Sequence, residues 1–286
     1  MNIVEPGNLS AYGALPVPKV TPELLGLVHT GNVYSLAVNF IPQMLVPGPM
    51  VSYTLSPHLR HGDLKDIAPA SAAAEVISMS IHVGTHIDAL CHIGEIQNGT
   101  VMLHNGVERS IPAPQSYQGQ SHLDISQMPP IVTRAILLDV AGFKGVEVLP
   151  DAYAITADDI RSTLATQGSQ VQPGTAVLVR TGFYKHLRND NPVYRDAIAG
   201  LNLEAAQLLV EQGMTLAGAD NMTVEAFPPL DHSVHRFLLV HRGITHLENL
   251  YLDQLAAQRV YEFMLIVTPL RLTGATGSWA HPIAIA

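Results

Sequence analysis

Apolar positions along the chain follow two periods. In "EVISMSIHV" (75–83), Ile77, Met79, Ile81 and Val83 fall on one side and Ser78, Ser80 and His82 on the other. That is the two-residue period of a half-buried strand. "AILLDV" (135–140) and "TAVLVRTG" (175–182) are short apolar runs bounded by turn signals and predict buried strands. "MTLAGAD" (214–220) predicts another, "ITHLENL" (244–250) a strand running into a turn, and "YEFMLIVTPLRL" (261–272) carries the strongest strand pattern of all.

The longer period lies between these runs. "ITADDIRSTLATQG" (155–168) predicts a helix with Thr156 as N-cap, Asp158 and Asp159 at the positive end of its dipole and Gly168 as terminator. "NLEAAQLLVEQG" (202–213) repeats the design with Asn202 and Gly213, and "SVHRFLLVHRG" (233–243) predicts a short helix capped by Ser233. Strands alternating with helices imply an α/β fold, and the strand-rich end implies a mixed β-sheet core with flanking helices. Residues 1–30 contain proline and glycine, are weakly patterned and read as an N-terminal arm; residues 31–286 read as a single domain without repeats or linkers.

Composition narrows the class. Of 286 residues, 47% are hydrophobic and 14% charged, enough apolar chain for a sizeable core. So low a charged fraction, with abundant Ala, Val and Leu, leads us to expect a homo-oligomer, a dimer or tetramer. A net charge of −9 without any basic run argues against nucleic-acid binding. Apolar runs such as "FMLIV" (263–267) are too short to span a bilayer, and the opening stretch lacks a basic region followed by an apolar one. The single cysteine excludes an intramolecular disulfide framework. A cytoplasmic location is the expectation.

Chemistry concentrates in "HVGTHIDALCHIG" (82–94), which holds His82, His86, Asp88, Cys91 and His92. The spacing leaves three readings open: a metal site, a Cys-His nucleophile pair, or structural histidines. Gly84 and the strand pattern running into His82 argue against a helix, and favour His82 at a strand end with His86, Asp88 and His92 folding back beside it. Imidazole and carboxylate donors suit Zn²⁺, Mn²⁺ or Fe²⁺, and two His with one Asp leave coordination positions open for a water whose pKa would fall towards ~7. Cys91 and His92 are neighbours that would point apart on a strand, and nothing nearby suggests an oxyanion hole, so Cys91 reads as a small hydrophobe. No G-x-S-x-G, Walker A or G-x-G-x-x-G motif occurs.

The stretch resembles the His-x-Gly-Thr-His-x-Asp-x-Pro-x-His signature of the metal-dependent cyclase family, which includes bacterial kynurenine formamidase and isatin hydrolase. "PGTAVLVRTGF" (173–183), "LAGADNMTVEAFP" (216–228), "HRFLLVHRGITHLENLYLDQL" (235–255) and "PLRLTGATGS" (269–278) are similar to segments found in that order in such proteins. The resemblance implies a swivelling β/α/β-type fold and one or two divalent ions per chain, Mn²⁺ or Zn²⁺. His82, His86 and Asp88 would be ligands of the first ion, with Asp88 bridging to a second held by His235 and Glu248. His92 would be the acid/base, and Thr85 would position a ligand or carboxylate through its hydroxyl.

One position departs from the signature. Leu90 replaces its proline, which would leave the loop freer or add an apolar wall to the pocket. Phe40, Met44 and Trp279 are further candidates for such walls, and the substrate-binding residues stay unidentified. The expectation is a metal-dependent hydrolase of a small-molecule amide: an N-formyl arylamine, lactam or cyclic imide. The same metal site used for cyclisation, dehydration or lactone hydrolysis, or a non-enzymatic binding protein, are the alternatives.

Overall fold

The computed structural model describes residues 10–46, 48–110, 119–228 and 231–286, so part of the N-terminal arm, residues 1–9, lies outside the described residues. The main sheet has nine strands, numbered here in chain order: β1 (Val33–Ser35), β2 (His86–Asp88), β3 (Ile131–Asp139), β4 (Thr175–Arg180), β5 (Met214–Ala219), β6 (Thr245–Glu248), β7 (Glu262–Val267), β8 (Gly277–Trp279) and β9 (Ile283–Ile285). Their spatial order is β1-β9-β7-β3-β4-β5-β6-β2-β8. The four central strands β3 to β6 are parallel. On one side β2 pairs antiparallel with β6 and β8 with β2; on the other, β7, β9 and β1 add antiparallel strands. The expected mixed sheet is therefore present, with its parallel strands in the middle, where both faces are covered.

Alternation along these strands divides the interior in two. Ile136, Leu138, Val177 and Val179 join Ile160, Leu164, Ala205 and Leu209 of two flanking helices in one apolar cluster. Ala135, Leu137, Ala176 and Leu178 point the other way and pack with Phe263, Leu265 and Leu255. A fully buried Leu, Ile or Val contributes roughly 1.5–3 kcal/mol, so this double layer makes the sheet a rigid platform. The helices are α1 (Ala157–Gln167) and α2 (Leu203–Glu211). Thr156 and Asp159 form a reciprocal capping box, and Gly168 ends α1 in the left-handed region at φ 64°. Asn202 caps α2 by accepting from the Ala205 N–H at 2.8 Å.

Two expectations need correction. The strand expected over 75–83 is only Ala74–Ser78, paired with Thr54–Leu59 in a separate two-stranded hairpin, and all five of its residues are exposed. The chain then turns, so His82 sits in a turn and not at a strand end. The helix expected over 233–243 is one α-turn, Ser233–His235, followed by a π-helical stretch, Arg236–Arg242. Its N-cap is His232 in the left-handed region, and Ser233 is already helical. The described part of the arm packs on the fold, with Tyr12 and Leu15 buried in the second cluster. Among the described residues no helix is long and apolar enough to cross a membrane.

Candidate metal centre

Adjacent strands β2 and β6 run antiparallel, with His86 opposite Glu248 and Ile87 opposite Leu247. Side chains two positions apart on a strand share a face. Ile87 and Leu247 therefore enter the apolar core together, while His86 and Asp88 share the opposite face with His246 and Glu248. His235, from the α-turn, meets this polar patch: its Nε2 lies 3.5 Å from Glu248 Oε1. All five side chains are buried, with His246 at 0% and His86 and Asp88 at 1% exposure.

Hydrogen bonds orient these groups. His86 Nδ1 lies 2.9 Å from the Gly84 carbonyl; a carbonyl only accepts, so Nδ1 carries the proton and Nε2 is left to face Asp88 and Glu248. Glu248 Oε1 accepts from the Val224 N–H at 3.0 Å, and the Thr245 hydroxyl donates to the Asp88 carbonyl. Glu225 Oε1 stands 3.2 Å from His235 Nδ1, the carboxylate–histidine pairing that commonly stands behind a metal ligand.

The donor set suits a divalent ion. His86 Nε2 lies 3.4 Å from Asp88 Oδ1 and 3.5 Å from Glu248 Oε2. Two donors about 2.1 Å from one ion stand roughly 3–3.5 Å apart. Asp88, His235, His246 and Glu248 each offer a donor atom within 4.8 Å of the others, as do His82, Asp88 and His92. His86 Nε2, Asp88 Oδ2 and both His246 nitrogens are buried without a hydrogen-bond partner. So many orphaned groups in one patch cost free energy unless something else satisfies them.

Electrostatics agree with the geometry. Burial alone would lower His86 and His235, but bonds to Asp88 and Glu248, and to Glu225 and Glu248, raise each to about 10. Burial raises Asp88, yet the charges of His92 and His82 hold it well below the usual carboxylate range. Glu248 is likewise lowered to about 2, its burial outweighed by His235 and His86. Burial pushes His92 down to about 3 and His246 to about 4.

The motif's other residues occupy distinct places. His82 has partners on both ring nitrogens, Asp88 Oδ1 at 2.8 Å and Thr276 Oγ1 at 2.9 Å. His92 stacks on it, ring centroids 3.7 Å apart, and also lines a cavity of about 440 Å³ with Glu95, Asp231, His232 and Arg236. The Thr85 hydroxyl bonds to backbone groups on both sides. It accepts from the Val38 N–H at 2.8 Å and donates to the Asn249 carbonyl at 2.6 Å, so it tethers the motif's backbone to the residue after Glu248. Gly84, at φ 66°, lies against the Phe40 ring, which an added Cβ would overlap.

Leu90 is neither freer nor a cavity wall: it is wholly buried and its N–H donates to the Tyr12 hydroxyl at 2.9 Å. Proline could make no such bond. Cys91 lies in the apolar core near the Ala275 carbonyl. The sequence missed Glu225, which stands in a quoted segment but carries no spacing signal.

The model of the Cyclase family matches residues 32–226. A kynurenine formamidase from Bacillus thuringiensis subsp. konkukian is 30% identical over 203 residues, 71% of this chain and 75% of that protein. Among solved structures, a novel cyclase aligns with a TM-score of 0.82 at 28% identity, covering 93% of this chain and 92% of that one. Isatin hydrolase A from Ralstonia solanacearum shares the fold, with a TM-score of 0.66 at 19% identity over 94% of this chain and 97% of its own. With the metal-suited cluster in place on that sheet, the chain belongs to the Cyclase family, and fold and site together define a metal-dependent enzyme of the hydrolase/cyclase type.

Proposed function

We propose that this protein hydrolyses a small-molecule amide, an N-formyl arylamine, lactam or cyclic imide, at the His86–Asp88–Glu248 patch. The observation that carries the reading is the position of His92, within reach of Asp88 and on the wall of the cavity. His86, Asp88, His235 and Glu248, with His82 alongside, would hold one or two divalent ions. A bound ion supplies Lewis acidity for the carbonyl and lowers the pKa of water.

His92 moves the proton. With its imidazole neutral it takes a proton as the water oxygen joins the carbonyl carbon. It then returns that proton to the nitrogen as the C–N bond breaks. His82, stacked against the ring, restricts its orientation. The likeness to a kynurenine formamidase and to isatin hydrolases supports an amide or cyclic amide as substrate.

The test is a panel of N-formyl anilides, isatin and lactones offered to Mn²⁺- and Zn²⁺-loaded protein. Turnover of the amides above the lactones is expected. His92→Ala should lower it ~10²–10⁴-fold with metal content unchanged. Lactones alone turning over would shift the reading to ester chemistry, and full activity in His92→Ala would remove His92 from it.

A further inference from the structure

His246 has no exposure, and neither ring nitrogen has a hydrogen-bond partner. A buried imidazole in that condition needs an explanation, since its desolvation is otherwise uncompensated. Its surroundings are not apolar. Its Nδ1 lies 3.8 Å from Asp88 Oδ2 and 3.8 Å from Glu248 Oε1, and its ring centroid lies 4.5 Å from that of His235.

Those separations are too long for hydrogen bonds but close to the spacing of donors that share one ion. The backbone explains why the ring is held there. Residues His86 and Glu248 face each other across β2 and β6, and one further step of that register sets His246 opposite Asp88. Directly opposed residues have Cβ atoms ~4.5–5.5 Å apart, so two cross-strand pairs, His86/Glu248 and Asp88/His246, form a square on one sheet face. His235 closes it from the side.

We infer that His246 is a metal ligand, completing with Asp88, His235 and Glu248 a set of four protein donors. The inference rests on the metal-dependent reading above and extends it. Two imidazoles and two carboxylates within 4.8 Å of one another make a closed set, the arrangement of an ion bound by protein alone. It favours a four-coordinate borderline ion, Zn²⁺ or Co²⁺, over one that demands six oxygens. The opposite side of Asp88, where His82 and His92 stand, then keeps the open positions beside the cavity. His246 thereby assigns different tasks to the two sides of one carboxylate.

The experiment compares wild type with His246→Leu, both loaded with Co²⁺ and Zn²⁺. It measures metal content, affinity by chelator competition, and the visible Co²⁺ absorption, which is intense only at four-coordinate sites. Wild type should show that absorption. His246→Leu should lose it, with affinity at that position falling by more than the ~10–100-fold typical of losing an orienting partner. Circular dichroism reports whether the variant is folded; should leucine not be tolerated, His246→Gln carries the same comparison. An unchanged spectrum in a folded variant overturns the inference, whatever the smaller change in affinity, and leaves the metal-dependent reading standing. No metal in wild type would sink both.

Discussion

At the scale of single residues, His86 and His235 each stand between two carboxylates, and that governs how the centre responds to pH. Both are raised to about 10, so at pH 7 each holds a proton that a metal ion must displace. Metal affinity should therefore rise with pH up to about 10, with release of protons approaching two per chain at pH 7. Calorimetric titration with Zn²⁺ in buffers of different ionisation enthalpy counts them; no release would show that these rings are not ligands. The sign reverses without metal. A histidine raised on folding stabilises the fold fully below its ordinary pKa, near 6.5, and that contribution is lost as pH climbs through about 10.

At the scale of elements, the short α-turn Ser233–His235 depends on a distant side chain. Its N-cap His232 offers no capping bond. Glu225 instead accepts from the N–H groups of Val234 at 2.7 Å and His235 at 3.2 Å through Oε2, while Oε1 faces the His235 ring. One carboxylate thus caps the turn and aims the imidazole it carries. We expect Glu225→Gln to weaken metal binding ~10–100-fold while the far-UV spectrum is retained. Chelator competition measures it, and unaltered affinity would reduce Glu225 to a cap. The π-helical stretch after His235 belongs with this device, because such windings gather at functional sites.

At the scale of the molecule, the candidate ligands come from three separate stretches of chain: β2, β6 and the turn at His235. An ion there would bind the folded state and find no such set in the unfolded one. Binding at a thousandfold excess over Kd stabilises by ~4 kcal/mol, and domains of roughly this size shift by ~2–4 °C per kcal/mol. Removing the metal with EDTA should then lower the thermal midpoint by about 8–16 °C, restored by Zn²⁺ or Mn²⁺. Calorimetry checks this, and an unchanged midpoint would mean that no ion bridges these elements.

The amino-acid pattern by itself determined the central strands and the two capped helices. The 135–138 part of β3 and the 176–179 part of β4 are buried on both faces and so read as unbroken apolar runs, whereas the half-buried start of β3, with Thr133 and Arg134, carries no such signal. Thr156 with Gly168 marks the ends of α1 through local bonds. The pattern also drew attention to His86 and Asp88 through their clustering and the family signature, but placed them in a segment folding back beside His82. That they lie on a strand, two apart on one face, emerged only from the sheet pairing. Alternation misled at 75–83, where the pattern is a strand's but the partner is one exposed hairpin strand and no core lies beneath. Tertiary structure alone decided the rest. His246 meets Asp88 only because β6 lies antiparallel to β2 in one register, a pairing no local period encodes. Glu225 and Tyr12 reach His235 and Leu90 only after the sheet has closed. Contacts between remote segments are fixed by how buried surfaces stack, and a single chain's local pattern carries no record of that.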